Sequence, residues 1–332
     1  MSRLKVNSSE SKRDKIPNNA QTVFSLKLPY AVPVPDGIYK VKVGKHTTEI
    51  AIRRVQRAQI DGWQASKGTF VQLAFDKYGR SSFSFIQIKI PWVCDLPERG
   101  RTPLLLGDVP PRTKSKEIAL RFLNRFIETV RYVTEEYWIE PARYQDVLSF
   151  EMFYWDGKEK YPAALSLLDS GVGGIAMGTG HPFQMKTEKL DELKNYLENE
   201  SELEASKIFL LNSKDACLQE DFRLAIIETV TALEIVLYRF IRRQGEKLGI
   251  PQSELNNFII DVGLKGNLSV VLKMLTKGLE QIDDEIINRC KGAISIRNKI
   301  LHEGLMEVSS TDTEERIIAI ENMITYLYRI MP

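Results

Sequence analysis

Arg297, Asn298 and His302 fall within six residues, in the stretch SIRNKILHEG at 295–304. A histidine titrates near neutral pH and can serve as either acid or base. An arginine offers a planar fork of donors that meets a phosphate bidentately, and such donors help most where charge develops. The asparagine between them can hold a phosphate oxygen or fix the histidine ring. The set combines a proton-transfer group with a fixed positive charge. Competing constellations are poor. His46 and His181 lie in separate contexts, and no Cys/His cluster has metal-ligand spacing. There is no G-x-S-x-G, no P-loop and no H-E-x-x-H. Gly171–Gly180, GVGGIAMGTG, contains the letters G-x-G-x-x-A. A dinucleotide fingerprint must open a helix, however, and here Gly178, Gly180 and Pro182 follow at once. The stretch reads as a flexible connector.

The three residues close a run expected to be helical from Asp283 to His302, with Gly304 as its C-terminal stop. Ile287, Cys290, Ile294 and Leu301 form one apolar stripe of that helix, and Arg297 falls inside it. Asn298 and His302, four apart, stack on one side. Arg297 and His302, five apart, stand about 140° from each other on an ideal helix. They converge on one substrate only where the helix ends or bends, or where both border a groove. A longer helix is expected at Leu218–Lys247, stopped by Gly249 and Pro251. Phe222, Ile226, Val230, Leu233, Leu237 and Phe240 make its main apolar face, which Ile227 and Ile241 widen. Glu234 falls within that sector, and a buried carboxylate needs a partner. Arg297 is the first candidate and His302 the second. Each residue also has a plain structural role. An arginine in an apolar stripe can snorkel. A histidine can cap a helix end. A Glu–Arg pair can set the register of two helices.

Further helices are expected from Thr187, over Leu203–Leu211, Gln252–Val262, Asn267–Leu279 and Thr313–Arg329. Residues 187–332 therefore read as an all-α helical domain. The preceding region differs. After a polar tail over residues 1–20, expected to be disordered, short runs alternate with period two. They are Phe24–Leu28, Tyr39–Val43, Ile50–Ile52, Val71–Phe75 and Ile86–Ile90, with turn dipeptides at Asp36-Gly37, Asp61-Gly62 and Tyr78-Gly79. Five prolines punctuate residues 91–113. An amphipathic helix follows over Lys114–Trp138, then strand-like runs at Tyr144–Trp155 and Ala163–Leu168 around an Asp156-Gly157 turn. Residues 21–182 thus read as an α+β domain, an antiparallel sheet with one long helix packed on it.

A chain of 332 residues suits two such domains. Its net charge of +2 hides an asymmetry: residues 1–113 hold 19 Lys and Arg against 9 Asp and Glu, and the remainder 27 against 35. A basic half can collect a polyanion such as RNA, although its charges are spread over many elements. No stretch approaches the ~18 consecutive apolar residues that read as a membrane span, and the polar first residues lack the apolar core of a secretory signal. Cys94, Cys217 and Cys290 are odd in number and far apart, which suits reduced thiols. The expected location is the cytoplasm, with no membrane partner.

At the residues singled out above, the chain resembles the HEPN superfamily. The run Arg297-Asn298-Lys299-Ile300-Leu301-His302 matches its R-x(4–6)-H motif, including the polar residue after the arginine. The upstream AIIETVTALEIVLYRF resembles the first long helix of the Apea-like HEPN group, with Glu234 in the usual acidic position. The resemblance covers residues 187–331. It implies a helical bundle that forms a homodimer with two motifs facing each other. It also implies a metal-independent endoribonuclease with no cofactor, of the kind found in phage defence and toxin–antitoxin systems, with an antitoxin or regulatory protein as partner. Other members are non-catalytic binding modules that mediate protein or nucleotide binding and assembly. The chemistry agrees with the residue types, because RNA carries its own nucleophile in the 2′-OH. Cleavage then needs a base, an acid for the leaving 5′-oxygen, and positive charge on the phosphate. One motif supplies one histidine, and a symmetric dimer supplies two. On this reading Arg297 and His302 are catalytic, Asn298 assists them, and Glu234 orients Arg297.

Overall fold

The computed structural model describes residues 19–28, 30–56, 82–92, 114–143, 149–167, 185–279 and 282–331. Outside them lie residues 1–18 of the expected tail, the Val71–Phe75 run, most of the proline-rich segment, the Gly171–Gly180 stretch, Cys94 and His181. The chain divides into two compact units between Glu202 and Leu203.

The alternating runs of the first unit form strands because each can bury one row of side chains. They are β1 (Gln21–Leu28), β2 (Gly37–Val43), β3 (His46–Gln56), β4 (Ser82–Ile90), β5 (Ser149–Trp155) and β6 (Lys160–Leu167). Among the described residues they make one six-stranded sheet in the order β2-β3-β4-β1-β5-β6, with every neighbour antiparallel. The register places Tyr39, Ile50, Ile88, Phe24 and Met152 in one row across five strands, and all five are buried. The opposite face carries Glu49, Lys89, Gln87 and Ser25, each at least partly exposed. Pro162 lies on the edge strand β6, at a register shift opposite Met152 and Phe153. An edge is where a residue without an N–H costs the ladder least.

Helix α1 (Lys114–Thr134) buries Phe122, Phe126, Ile127 and Val130. The Phe126 ring lies 5.3 Å from that of Tyr39, which seats α1 on the apolar face of the sheet. The next helix, α2 (Thr187–Asn199), belongs to this same unit, although residues 187–332 were expected to form one helical domain. Its buried residues are Leu193 and Leu197, its Tyr196 ring meets that of Tyr132 at 5.3 Å, and Arg125 donates to the Tyr196 and Ser201 carbonyls at 3.2 and 2.6 Å. Helical periodicity reports that a face is buried. It does not report which domain buries it.

The second unit holds α3 (Ala205–Leu218), α4 (Phe222–Lys247), α5 (Gln252–Gly266), a π turn at Asn267–Val271, the short α6 (Leu272–Leu275), α7 (Asp284–Asn298), a second π turn at Lys299–Glu303, and α8 (Ser310–Ile330). Asp221 caps α4 by accepting from the Leu224 N–H at 3.1 Å, and Asp283 caps α7 by accepting from Glu285 at 2.8 Å. Helix α4 is central. Its Ile226, Val230, Leu233, Leu237 and Phe240 are buried as expected, in one core with residues from α7 and α8. At Gly245 a Cβ would come within 2.5 Å of two methyl groups of Leu255, so α5 approaches α4 at a distance only glycine permits without displacement. Among the described residues no helix is long and apolar enough to cross a membrane.

Phe240→Ala removes the largest fully buried side chain of the helical unit. It is expected to lower stability by about 3–5 kcal/mol, read by urea titration followed by far-UV circular dichroism. A cost below about 1 kcal/mol would contradict the central position of α4.

Candidate functional site

The polar residues predicted from sequence come from two helices. Glu234 lies in the middle of α4, and Arg297 and Asn298 are at the last turn of α7. Arg297 Nη2 lies 3.8 Å from Glu234 Oε2, so the expected pairing forms. The expectation of a buried carboxylate is corrected: the Glu234 side chain is 32% exposed and that of Arg297 28%. An ion pair at this exposure contributes at most about 1 kcal/mol. Its effect is on the orientation of Arg297 more than on the stability of the fold. Arg297 Nη1 donates to Asn298 Oδ1 at 3.3 Å, while Nε is buried without a hydrogen-bond partner. A guanidinium has five N–H donors. Among the described residues only one of these makes a hydrogen bond, because 3.8 Å to Glu234 is a charge contact. Such an unsatisfied donor set is costly where water is excluded. It is also a ready seat for an oxyanion.

Tyr238 is the member that sequence reasoning missed. It lines the same side of α4 as Glu234, one turn further on. Burial first, and then the Glu234 charge, push its hydroxyl up to about 12, against the opposing pull of Arg297 and Arg242. The signal was present, since Tyr238 follows Glu234 by four residues and therefore stands one turn above it. The site is thus a chain of contacts from Tyr238 through Glu234 and Arg297 to Asn298.

His302 lies elsewhere on the backbone path. The α-helical bonding of α7 gives way at Lys299 to a π turn that runs to Glu303, and Gly304 ends it with φ 71° and ψ 28°. Both the Gly304 and Leu305 N–H groups donate to the Lys299 carbonyl, so the left-handed glycine stop is as expected. The π turn breaks the α-helical phase. Leu301, expected in the apolar stripe beside Ile294, is 49% exposed, and Ile300 is buried instead. A turn closed by i→i+5 bonds takes one more residue than an α turn. Residues five apart across it therefore stand nearer one line than the 140° of an unbroken α-helix. His302 itself is exposed and makes no hydrogen bond to any described residue. Asn298 and His302, expected to stack, share no hydrogen bond.

Glu234 and Tyr238 also line an open groove of about 560 Å³ along α4, together with Arg239, Arg242 and Arg243. Among the described residues no group of three or more His, Cys, Asp or Glu side chains is placed to hold a metal ion. Cys290 is in the core, and burial pushes its thiol up to about 12, so it is inert packing.

The raised Tyr238 hydroxyl makes a pH prediction. A group whose folded pKa lies above its unfolded value stabilises the fold below the unfolded value, and that contribution is lost as pH rises through the folded one. For Tyr238 the window runs from 10.0 to about 12. Stability of the helical unit is expected to fall across this window, less steeply in Tyr238→Phe. Equal slopes in denaturant titrations of the two proteins would disprove the upward shift of the Tyr238 hydroxyl. Compared with protein-family profiles, curated proteins and solved structures, the chain finds no match, so the chemistry of this site is argued from its own residues.

Proposed function

We propose that this chain is an endoribonuclease of HEPN type, acting at a composite site of Arg297, Asn298 and His302 that Glu234 supports. The observation that carries the reading is the Arg297 guanidinium. Glu234 holds it at 3.8 Å, it is partly exposed, most of its donors are unused, and an exposed histidine stands five residues away across a π turn. The 2′-OH of RNA attacks the adjacent phosphorus as its proton passes to a base, and the P–O5′ bond breaks as an acid protonates the departing oxygen. The products are a 2′,3′-cyclic phosphate and a 5′-hydroxyl. No step requires a metal ion, because the nucleophile belongs to the substrate. Arg297 meets the charge that grows on the phosphate oxygens. His302 supplies one proton-transfer group, and the His302 of a second copy supplies the other, which is the physical reason for a homodimer. A nuclease of this kind suits phage defence or a toxin–antitoxin pair in the cytoplasm, restrained by an antitoxin or by the α+β unit.

Purified protein incubated with single-stranded RNA is expected to yield cyclic-phosphate ends. His302→Ala is expected to lower the rate by about 10²–10⁴-fold. Arg297→Lys, which keeps the charge but loses the fork, is expected to recover only part of the loss caused by Arg297→Ala. Equal cleavage by wild type and His302→Ala would end the nuclease reading. Absence of cleavage by either would leave the other reading, a non-catalytic HEPN module for protein or nucleotide binding. A strict monomer in light scattering, with cleavage intact, would remove the two-histidine mechanism.

A further inference from the structure

We propose that the groove along α4 holds single-stranded RNA beyond the scissile phosphate, with Arg242 and Arg243 on its phosphates and the Tyr238 ring beneath a base. The inference rests on the nuclease reading, because Glu234, the partner of Arg297, lines this groove.

Lining residues from Thr231 to Glu246 span about 22 Å of one helix face, at 1.5 Å per residue. That length accommodates several nucleotides and exceeds the need of a single phosphate. The charges along it are not equivalent. Arg239 is paired with Glu204, and Glu204 also accepts from Tyr328, so its charge is compensated. Arg242 donates through Nε to Asn256 Oδ1 at 2.8 Å, a neutral partner, and forms no ion pair with a carboxylate among the described residues. Asn256 thereby fixes the guanidinium without neutralising it. Arg243, next in the chain, is exposed and also lines the groove, as does Glu246 at its far end. Between these arginines and Glu234 stands Tyr238, half-buried, with part of its ring accessible. Arginines beside an accessible aromatic ring are the physical pattern for a single strand, whose phosphates follow the positive charges while a base stacks. A duplex offers no free base to such a ring, and an acidic peptide has no use for it.

The test uses the whole chain carrying His302→Ala, so that the RNA survives, and a 5′-fluorescein single-stranded RNA read by fluorescence anisotropy over a range of salt. Arg242→Ala with Arg243→Ala is expected to weaken binding by about 10-fold or more and to lower the salt slope of log K by about 1–2. Replacing both with lysine is expected to restore the slope, which separates loss of charge from loss of fold. Tyr238→Ala is expected to weaken binding by about 5-fold or more, and Tyr238→Phe to leave it unchanged. Lys277→Ala, on an exposed turn outside the groove, serves as the unaffected control. Unchanged affinity and slope in the double alanine variant would overturn the proposal. Displacement of the RNA by polyglutamate at equal charge concentration would overturn it in favour of an acidic protein segment. Cleavage is scored separately with His302 in place. RNA that binds through Arg242 and Arg243 but is never cut sustains the groove and ends the nuclease reading. RNA that is cut while the arginines are indifferent does the reverse.

Discussion

Helix α4 must bury an apolar face while carrying Glu234 on the adjoining surface, and the helical unit is arranged around that requirement. Ile226, Val230, Leu233, Leu237 and Phe240 have no exposure to water, and helices α3, α5, α7 and α8 all pack against this one element. Such burial contributes on the order of 1.5–3 kcal/mol per large side chain, which dwarfs any single ion pair of the unit. The polar strip that remains is the residue of this packing. It runs along one side of α4 and carries Glu234, Tyr238 and the arginines. The supporting Glu234 therefore sits on the helix against which the others pack, where a rigid backbone can hold it in place.

On this frame the Glu234–Arg297 pair links the last turn of α7 to the centre of α4. With both side chains about a third exposed, water screens the attraction, so the pair contributes little stability. The two partners of Arg297 restrict its direction, while most of its N–H groups remain without an acceptor. This combination of a fixed direction and unsatisfied donors suits recognition of an oxyanion better than it suits a structural latch. The Tyr238 hydroxyl stands near enough to respond to the carboxylate charge.

The π turn at Lys299–Glu303 is the second device. One extra residue in the turn changes which side chains face the core, and it takes Leu301 out and Ile300 in. Gly304, at φ 71°, lets the chain leave immediately afterwards, a conformation in which a β-branched residue would be strained. The histidine therefore rides on a distorted, exposed turn while the arginine stays on regular helix.

Much of this was legible in the residues themselves. The period-two runs specified the strands, because only alternation lets a sheet bury one face. The spacing of Ile226 to Phe240 specified the core face of α4, and Gly304 marked a helix end. The Arg297–Glu234 partnership followed from the cost of two charges on apolar stripes. What tertiary structure alone decided has one physical reason in common: each item depends on which surfaces meet. Helix α2 joined the sheet unit because its partners Tyr132 and Arg125 lie there, on α1, which no periodicity states. Glu234 proved about a third exposed, on the side of α4 that borders the groove. The π turn has no sequence signature in KILHE, although it decides that Ile300 is buried and Leu301 exposed. The sequence by itself named the candidate residues and the helices that carry them; the packing of those helices determined which of the residues touch.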